Sequence, residues 1–197
     1  MPVDGASENR YGVTMHAAET PPWTVHSERV VDDTRRAILS IAEVELPDGT
    51  RFEQWVHRSP AAAMAALVVN DSVLMLRRHR FVIDRWIFEL PGGYCEPGET
   101  LIDCAAREAE EETGWRPVKL ELLASFQPWV ATADAEQHVF ASYGAGQVTT
   151  DVDVNEAATL HWVALADVPP LIASGAVTGS ASMVGLQAIL LREHARS

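Results

Sequence analysis

From Trp23 to about residue 90, apolar and polar positions form the short runs that are typical of β-strands. Runs rich in Val and Ile are separated by turn sequences, of which Pro47-Asp48-Gly49 and Asn70-Asp71 are the clearest. Each of these two turns joins the strands of a predicted hairpin. The strands predicted along the whole chain are residues 23–31, 36–46, the segments RFEQWVHR, AMAALVVN and SVLMLRRHR, and residues 86–90, 118–127, 137–143 and 159–164.

Residues 100–113 carry the strongest helical periodicity in the chain. The apolar positions that recur there at helical spacing are Leu101, Ile102, Ala105, Ala106 and Ala109. The small alanines allow the helix to lie close to a sheet, and Gly114 follows where a helix-ending glycine is expected. Two later helices are predicted at about 165–174 and 181–194. Strands combined with one central and two late helices predict an α/β or α+β sandwich.

Composition restricts the class of ligand. The chain has 197 residues, 47% of them hydrophobic, which suits a single domain with a sizeable core. Its formal net charge of −13 argues against general nucleic-acid binding, which needs a basic surface. An anionic small molecule remains compatible with this charge if a metal ion or local arginines supply positive charge. Arg77, Arg78 and Arg80 form an arginine cluster suited to phosphate, although solvated strand charges explain it equally well.

The chain shows no signal for a membrane or for secretion. Its apolar runs are shorter than a membrane span, and the opening segment MPVDGASENR lacks the apolar stretch of a secretory signal. The two cysteines, Cys95 and Cys104, are too few for a disulfide framework. We therefore expect a cytoplasmic protein that contacts no membrane, in which both thiols are free and serve as packing residues.

Seven acidic residues lie between positions 92 and 115, around the single arginine of the predicted helix. On a helix, Glu108 lies one turn before Glu111 and Glu112, so the three carboxylates can converge. Like charges at this spacing destabilise an isolated helix unless a cation lies among them, and hard oxygen ligands suit Mg²⁺ or Mn²⁺. A solvated acidic face is the alternative, and composition alone favours it.

The spacing of these residues changes that balance. Gly93 is followed after five residues by Glu99, and after seven more by Arg107-Glu108-Ala109-Glu110-Glu111-Glu112-Thr113-Gly114-Trp115. This arrangement resembles the Nudix box, G-x5-E-x7-R-E-U-x-E-E-x-G-U, in which U is a bulky apolar residue. Every fixed position matches, although Ala109 is smaller than the Leu or Ile that the family prefers.

The resemblance implies both a fold and a chemistry. Nudix proteins have an α/β/α sandwich built on a mixed central sheet, here with an N-terminal β-hairpin region. Most of them hydrolyse a nucleoside diphosphate linked to another group, using a divalent metal ion. The match assigns the metal, Mg²⁺ or alternatively Mn²⁺, to Glu108, Glu111 and Glu112. It also implies that Arg107 orients these glutamates, that Glu99 supports the site, and that Gly92 and Gly93 permit a tight turn beside the ligand.

A weaker resemblance outside the box, over residues 23–194, points to the ADP-ribose and nucleotide-sugar pyrophosphatase branch. The polar, mixed composition of residues 1–22 predicts a flexible tail, and the resemblance implies an N-terminal β region at residues 23–60. In that branch the β region forms a homodimer, and each active site borrows residues from the partner. Residues 61–197 would then be the Nudix domain, with a nucleoside diphosphate-linked small molecule as its ligand.

The same resemblance assigns substrate contacts. These fall on Trp23, Arg80, Glu89 and Gly93. Trp23 is the first candidate to stack on the base and Trp55 the second, with packing in a core or interface as the alternative for both. A further acid from a loop after the box acts as base or extra ligand; Glu156 is the first candidate and Glu136 the second, and a solvated loop carboxylate is the alternative. Catalytic roles are thus predicted for Glu99, Arg107, Glu112 and Glu156.

Two departures from the branch leave the substrate open. Pro91-Gly92-Gly93 stands where the branch has Pro-Ala-Gly, and the loop at residues 127–132 replaces the Ser-Pro-Gly loop that helps to frame the terminal ribose. We expect Mg²⁺-dependent hydrolysis of ADP-ribose or a nucleotide sugar to a nucleoside monophosphate and a sugar phosphate. The alternatives are a Nudix enzyme that removes oxidised nucleoside triphosphates and, from another class, a ligand sensor without catalysis.

Overall fold

The computed structural model describes residues 22–150 and 159–195. Its strands, in chain order, are β1 (Thr24–Asp32), β2 (Ile38–Glu45), β3 (Arg51–Arg58), β4 (Ala62–Val69), β5 (Ser72–Arg80), β6 (Arg85–Glu89), β7 (Gly92–Tyr94), β8 (Trp115–Pro117), β9 (Glu121–Phe126), β10 (Ala133–Asp134), β11 (Gln137–Ser142), β12 (Ala145–Gln147) and β13 (Thr159–Ala164). Its helices are α1 (Leu101–Thr113), α2 (Val168–Ala173) and α3 (Ser180–His194), with a 3-10 turn at Leu165–Asp167. None of these described helices has the length and apolar character needed to cross a membrane.

The central sheet is mixed. Within the described residues its strand order is β13-β5-β4-β11-β9, with β6 paired to β5 and β7 paired to β4. Strand β11 runs parallel to β4, and the other pairs are antiparallel. Asn70 and Asp71, between β4 and β5, both have positive φ, 48° and 56°, as a tight hairpin turn requires. The turn predicted at these two residues is therefore confirmed.

Helices cover both faces of the sheet. Successive residues of β4 point to opposite faces, so this strand contributes side chains to both cores. One face packs on α1 through a buried cluster of Ala63, Ala65, Leu67, Leu74, Cys104, Ala105, Ala109 and Phe140. The other face packs on α2 and α3 through a cluster that includes Met64, Ala66, Val139, Val168, Leu186 and Ile189. Burial on both sides explains why β4 is a continuous apolar run in the sequence. The expected α/β/α sandwich with a mixed central sheet is confirmed.

A second sheet contains the N-terminal strands. β1, β2 and β3 are antiparallel neighbours, and the two-residue strand β10 adds to β3 in parallel. Glu28 of β1 joins the three strands, since it accepts hydrogen bonds from Ser40 Oγ of β2 at 2.5 Å and from Arg58 Nη2 of β3 at 2.9 Å. Every residue of β1 is exposed. The dimer role expected for this region stays a prediction.

Some element boundaries differ from those expected. The strand predicted at residues 118–127 begins only at Glu121, as β9, while β8 lies before it and pairs with β12. The helix predicted at residues 165–174 starts as a 3-10 turn and becomes α-helical at Val168. Pro169 and Pro170 cause this delay, because a residue without an amide hydrogen is tolerated only in the first turn of a helix.

Candidate active site

The turn at Gly92-Gly93 presses the backbone against both the sheet and α1. Gly92 has a φ of 157°, and a Cβ added there would lie 2.4 Å from Cγ of Met64. A Cβ added at Gly93 would lie 2.6 Å from the carboxylate of Glu108. Neither position accommodates a side chain without displacement, so glycine is what allows the Glu108 carboxylate to lie directly on the turn.

Helix α1 is fixed at both ends. Thr100 Oγ1 accepts a hydrogen bond from the Asp103 amide at 3.2 Å, and Gly114 closes the helix in the left-handed conformation, with φ of 72°. The alanine face of α1 is buried against the sheet. This orientation leaves the other side of the helix, nearer to the Gly-Gly turn and to solvent, to Arg107, Glu108 and Glu111.

Arg107 gathers three of the predicted acids. Its guanidinium donates to both oxygens of Glu99, at 2.8 and 3.0 Å, to Glu108 Oε1 at 2.8 Å and to Glu111 Oε2 at 2.9 Å. The hydrogen bonds from Arg107 lower the pKa of Glu99 to about 2, with help from a backbone amide at Glu96. Arg107 therefore contacts Glu108 and Glu111, two of the three glutamates that it is expected to orient, whereas Glu112 is bonded to Arg78. Its charge offsets the repulsion between the carboxylates, and its orienting role stays a prediction.

Glu112 is the most deeply buried of the box acids and is only 3% exposed. Its Oε1 accepts from Arg78 Nη2 at 2.6 Å, and its Oε2 accepts from the Gly92 amide at 2.8 Å. Burial raises the pKa of the Glu112 carboxyl, and the Arg78 guanidinium and the Gly92 amide oppose that rise. The box helix, the Gly-Gly turn and strand β5 are thus joined through one carboxylate.

Glu89, the last residue of β6, is paired with arginines of β5. Its Oε2 accepts from Arg80 Nε at 2.8 Å and lies 3.5 Å from Arg78 Nε. Its Oε1 lies near the start of α3, 3.5 Å from where a Cβ of Gly179 would be. The two substrate-contacting residues expected here, Arg80 and Glu89, are therefore paired with each other.

Two adjoining cavities open beside these residues. The first, of about 300 Å³, is lined by Ala62, Met64, Arg78, Arg80, Glu89, Leu90, Gly92, Gly93, Tyr94, Gln137 and the first residues of α3. The second, of about 660 Å³, is lined by residues that include Leu39, Trp55, His57, Pro128, Trp129 and Thr132. The two share the lining residues Ala62, Tyr94, Gln137 and Ser180. They form one cleft with a charged half and an aromatic half.

The aromatic half contains Trp55 rather than Trp23. Trp23 lies edge-on to Phe52, with ring centroids 5.6 Å apart, and lines neither cavity. Trp55 and Trp129 both line the larger one. The role proposed for Trp23 at the base stays a prediction, because a partner subunit could bring it to a cleft that it does not reach within its own chain.

Comparison with known proteins agrees with this geometry. The family model described as NUDIX domain matches residues 58–180, more than half of the chain. The chain belongs to the NUDIX family. With a complete Nudix box and relatives that are hydrolases, it is a Nudix pyrophosphohydrolase.

Several Nudix relatives match over most of their length. A CMP-5'-(N-acetyl-N-hydroxy-3-aminopropyl)phosphonate hydrolase of Streptomyces rubellomurinus is 40% identical over 171 residues, which cover 85% of this chain and 82% of that protein. An ADP-ribose pyrophosphatase of Bacillus subtilis is 30% identical, covering 86% of this chain and 90% of its own. The crystal structure of an ADP compounds hydrolase superposes with a TM-score of 0.80 at 16% identity, covering 92% of this chain and 99% of that one. The last comparison concerns the fold alone.

Nudix hydrolases generally depend on a divalent metal ion, and the donors of this chain fit one. Glu108, Glu111 and Glu112 offer the hard carboxylate oxygens that Mg²⁺ and Mn²⁺ prefer. The missing Cβ of Gly93 leaves the Glu108 carboxylate uncovered by a side chain at the turn. In the described part of the chain no three acidic, His or Cys side chains converge as ready ligands, because arginines hold the box acids instead. Metal binding would have to exchange arginine contacts for metal contacts.

The predicted base is not visible in this geometry. Glu156 lies outside the described residues, so its role stays a prediction. Glu136, the second candidate, lies with its Oε2 3.5 Å from Nε2 of the buried His138, whose Nδ1 contacts Ser125 Oγ at 2.8 Å. Glu136 lines neither cavity.

Two residues of the Nudix cleft escaped the sequence analysis. Arg78 was considered only as part of an arginine cluster, yet it is 8% exposed and bonded to Glu112. Trp129 belongs to the 127–132 loop, which was noted only for departing from its branch. No local signal marks Arg78, because the apolar run that precedes it in β5 is continuous and does not define a single covered face. No local signal pairs Trp129 with Trp55.

Proposed function

We propose that this Nudix enzyme hydrolyses the diphosphate bond of a nucleoside diphosphate derivative, ADP-ribose or a nucleotide sugar, in a reaction that requires Mg²⁺ or Mn²⁺. Water attacks one phosphorus, the bond from that phosphorus to the bridging oxygen breaks, and a nucleoside monophosphate and a sugar phosphate are released. The continuous cleft carries this proposal, because its charged half suits a diphosphate and its aromatic half suits a base.

Each half of the cleft has residues for its task. Arg80 contacts the diphosphate, and Trp55 and Trp129 hold the base between the N-terminal sheet and the 127–132 loop. Glu108, Glu111 and Glu112 would hold the metal ion, which when bound offsets the diphosphate charge and polarises the phosphorus–oxygen bond. Arg107 keeps two of these carboxylates in place, and Glu99 keeps Arg107 in place.

The proton of the attacking water goes to a carboxylate. Glu156 is the first candidate for this base and a box glutamate is the second. We further infer a homodimer formed through the N-terminal sheet, supported by the exposure of apolar side chains such as Val25 and Val30 along β1. The free thiols of Cys95 and Cys104 agree with a reducing, cytoplasmic setting.

A phosphonate-containing substrate is the second candidate. It is favoured by the 40% identity to a hydrolase whose name describes a CMP-linked phosphonate. The test is one panel of ADP-ribose, nucleotide sugars, CMP-phosphonate esters and nucleoside triphosphates, with Mg²⁺, with Mn²⁺ and with a chelator, and with products identified by mass. Turnover of triphosphates alone would contradict the proposal, and binding without turnover of anything would identify a sensor.

Substitutions in the box test the roles. Glu112→Gln should lower turnover by about 10²-fold or more, because a buried carboxylate that contacts Arg78 and the turn, and that would hold the metal ion, is lost. Glu110→Gln is the matched control, since Glu110 pairs with Arg116 on the outer side of the same helix. Glu156→Gln tests the base separately, and a small effect there would transfer that role to a box glutamate.

A further inference from the structure

The first turn of α3 forms part of the charged cavity, where its amide groups have no hydrogen-bond partner. Gly179 is the residue before the helix, and no side chain caps it. The first helical bond is donated by Met183, to Gly179 O at 3.0 Å. Within the described residues the amides of Ser180, Ala181 and Ser182 donate to nothing. A helix N-terminus with free amides carries a partial positive charge and attracts anions.

An independent observation in the same cavity also points to an anion. Arg78 is 8% exposed and lines this cavity, and its Nη2 is bonded to Glu112. Its buried Nε lies 3.5 Å from Glu89 Oε2 but makes no hydrogen bond within the described residues. A buried donor that stays unpaired is costly, so a ligand acceptor at this position is favoured. Donors that lack a hydrogen bond therefore line the cavity from strand β5, at the ion-paired Arg78, as well as from α3.

The start of α3 is held rigidly beside the Gly-Gly turn. Ser182 Oγ accepts from the Leu90 amide at 2.9 Å, and Ser180 Oγ donates to Gln137 at 3.1 Å. The cavity has a volume of about 300 Å³, within the range of small-molecule sites. Ser180 also lines the aromatic cavity, so one ligand can place an anionic group at α3 and a base in the aromatic cavity.

We propose that the α3 N-terminus and Arg78 form an oxyanion-binding subsite for a tetrahedral phosphoryl or phosphonyl group of the substrate. This inference rests on the proposed function, which supplies a substrate with such groups. The non-bridging oxygens accept from the amides of Ser180, Ala181 and Ser182 and from Arg78 Nε. Glu89 is the opposing charge, since its carboxylate lies near Gly179 and pairs with Arg80.

The subsite is tested with inorganic phosphate and methylphosphonate, without nucleotide and with a chelator present, by following amide resonances in two-dimensional NMR. We expect saturable shifts of the Ser180, Ala181 and Ser182 resonances. Ala181→Asp places a carboxylate on the free amides, so phosphate binding should weaken about tenfold or more. Because Ala181 packs against the core, the folding of this variant is compared by melting temperature with that of the Asn variant. Ala181→Asn is the uncharged control and should bind phosphate like the parent.

A second pair of variants removes one amide. Gly179 is extended, with φ of −68° and ψ of 132°, and therefore accepts a following proline. Ser180→Pro should weaken phosphate binding about fivefold to tenfold, as expected for one lost charge-assisted hydrogen bond. Ser180→Ala loses the same hydroxyl but keeps the amide, so it should bind phosphate as tightly as the parent does. Both variants should still hydrolyse substrate. In Ser180→Pro the KM should change more than kcat, and in Ser180→Ala neither constant should change.

The inference is overturned if phosphate and methylphosphonate leave these three resonances unmoved, or if Ala181→Asp binds phosphate as well as Ala181→Asn does. Hydrolysis of the substrate panel is measured separately with metal present. An active enzyme without the phosphate response contradicts the subsite alone, whereas a phosphate response in a protein that hydrolyses nothing contradicts the proposed function.

Discussion

Individual residues in this cleft are constrained by contacts at distances that leave no spare room. Gly93 is the clearest case, because its absent Cβ is what separates the turn from the Glu108 carboxylate. The glycine is therefore required for the position of a side chain that we propose to hold the metal ion, and its effect on the fold is secondary. The same reasoning applies to Gly92 against Met64, where backbone and side-chain atoms would be displaced together.

Gly93→Ala should separate activity from stability. The methyl group would push the Glu108 carboxylate aside, and a displacement of about 1 Å in an active site costs about 10²-fold in kcat/KM. Only the end of a side chain has to move, so the loss of unfolding free energy should stay below about 3 kcal/mol. The measurements are steady-state kinetics and urea unfolding. Gly146→Ala is the control, with no atom within 4 Å of the added group, and activity near the parent level in Gly93→Ala would refute the argument.

Sequence reasoning succeeded at the residue scale where spacing along one helix defines the contacts. Arg107 meets Glu108 and Glu111 because all three lie on α1. It could not pair Arg78 with Glu112, which are 34 residues apart on different elements. Whether an arginine on a strand is solvated or buried depends on what later packs over it, and no local pattern encodes that.

Strands and helices of this fold were predicted well where burial gives the sequence a recognisable pattern of apolar residues, and poorly where it does not. The apolar run of β4 and the alanine face of α1 both follow from packing in the sandwich. Strands β8, β10 and β12 are two or three residues long and pair at the periphery, so their sequences carry no period. The order of β4 beside β11 also needs tertiary contacts, because parallel neighbours are far apart in the chain.

The N-terminal sheet should lose a specific stabilisation in acid. Hydrogen bonds from Arg58 and Ser40 lower the pKa of Glu28 below its usual value of 4.5, because they favour the charged carboxylate. A lowered pKa in the folded state contributes stability above pH 4.5, and that contribution is lost as the pH falls through the folded-state pKa. Glu28→Gln should therefore lower the melting temperature by about 2 °C at neutral pH and by progressively less as the pH falls below 4.5.

Thermal unfolding across this pH range checks the sign of the effect. Glu53→Gln is the matched control on the same sheet, because its contact with Arg29 is 3.7 Å long and both side chains are about two-thirds exposed. The control should show little difference at any pH. A Glu28→Gln effect that grows toward acid would contradict the assignment of the charged form.

At the scale of the whole molecule, the cleft depends on how the two sheets meet. The loop that carries Trp129 is tied to β3 by backbone bonds from His57 to Thr132 O at 2.9 Å and from Ser59 to Asp134 O at 3.1 Å. These bonds place Trp129 beside the cavity that Trp55 lines from the N-terminal sheet. The aromatic half of the cleft is therefore a joint product of the N-terminal region and the Nudix domain, and ligand binding should depend on both.

A double-mutant cycle on Trp55 and Trp129 tests this coupling. Each Trp→Ala change should weaken nucleoside monophosphate binding by about 1–3 kcal/mol, the usual range for stacking of a base on an aromatic side chain. Because both rings line one cavity, the double variant should lose less than the sum of the single losses. Affinities are measured by calorimetry without metal. Trp86→Ala, an exposed side chain that lines neither cavity, is the control and should bind like the parent. Strictly additive losses would mean that the two tryptophans do not hold the same base, and the aromatic half of the cleft would then need another ligand.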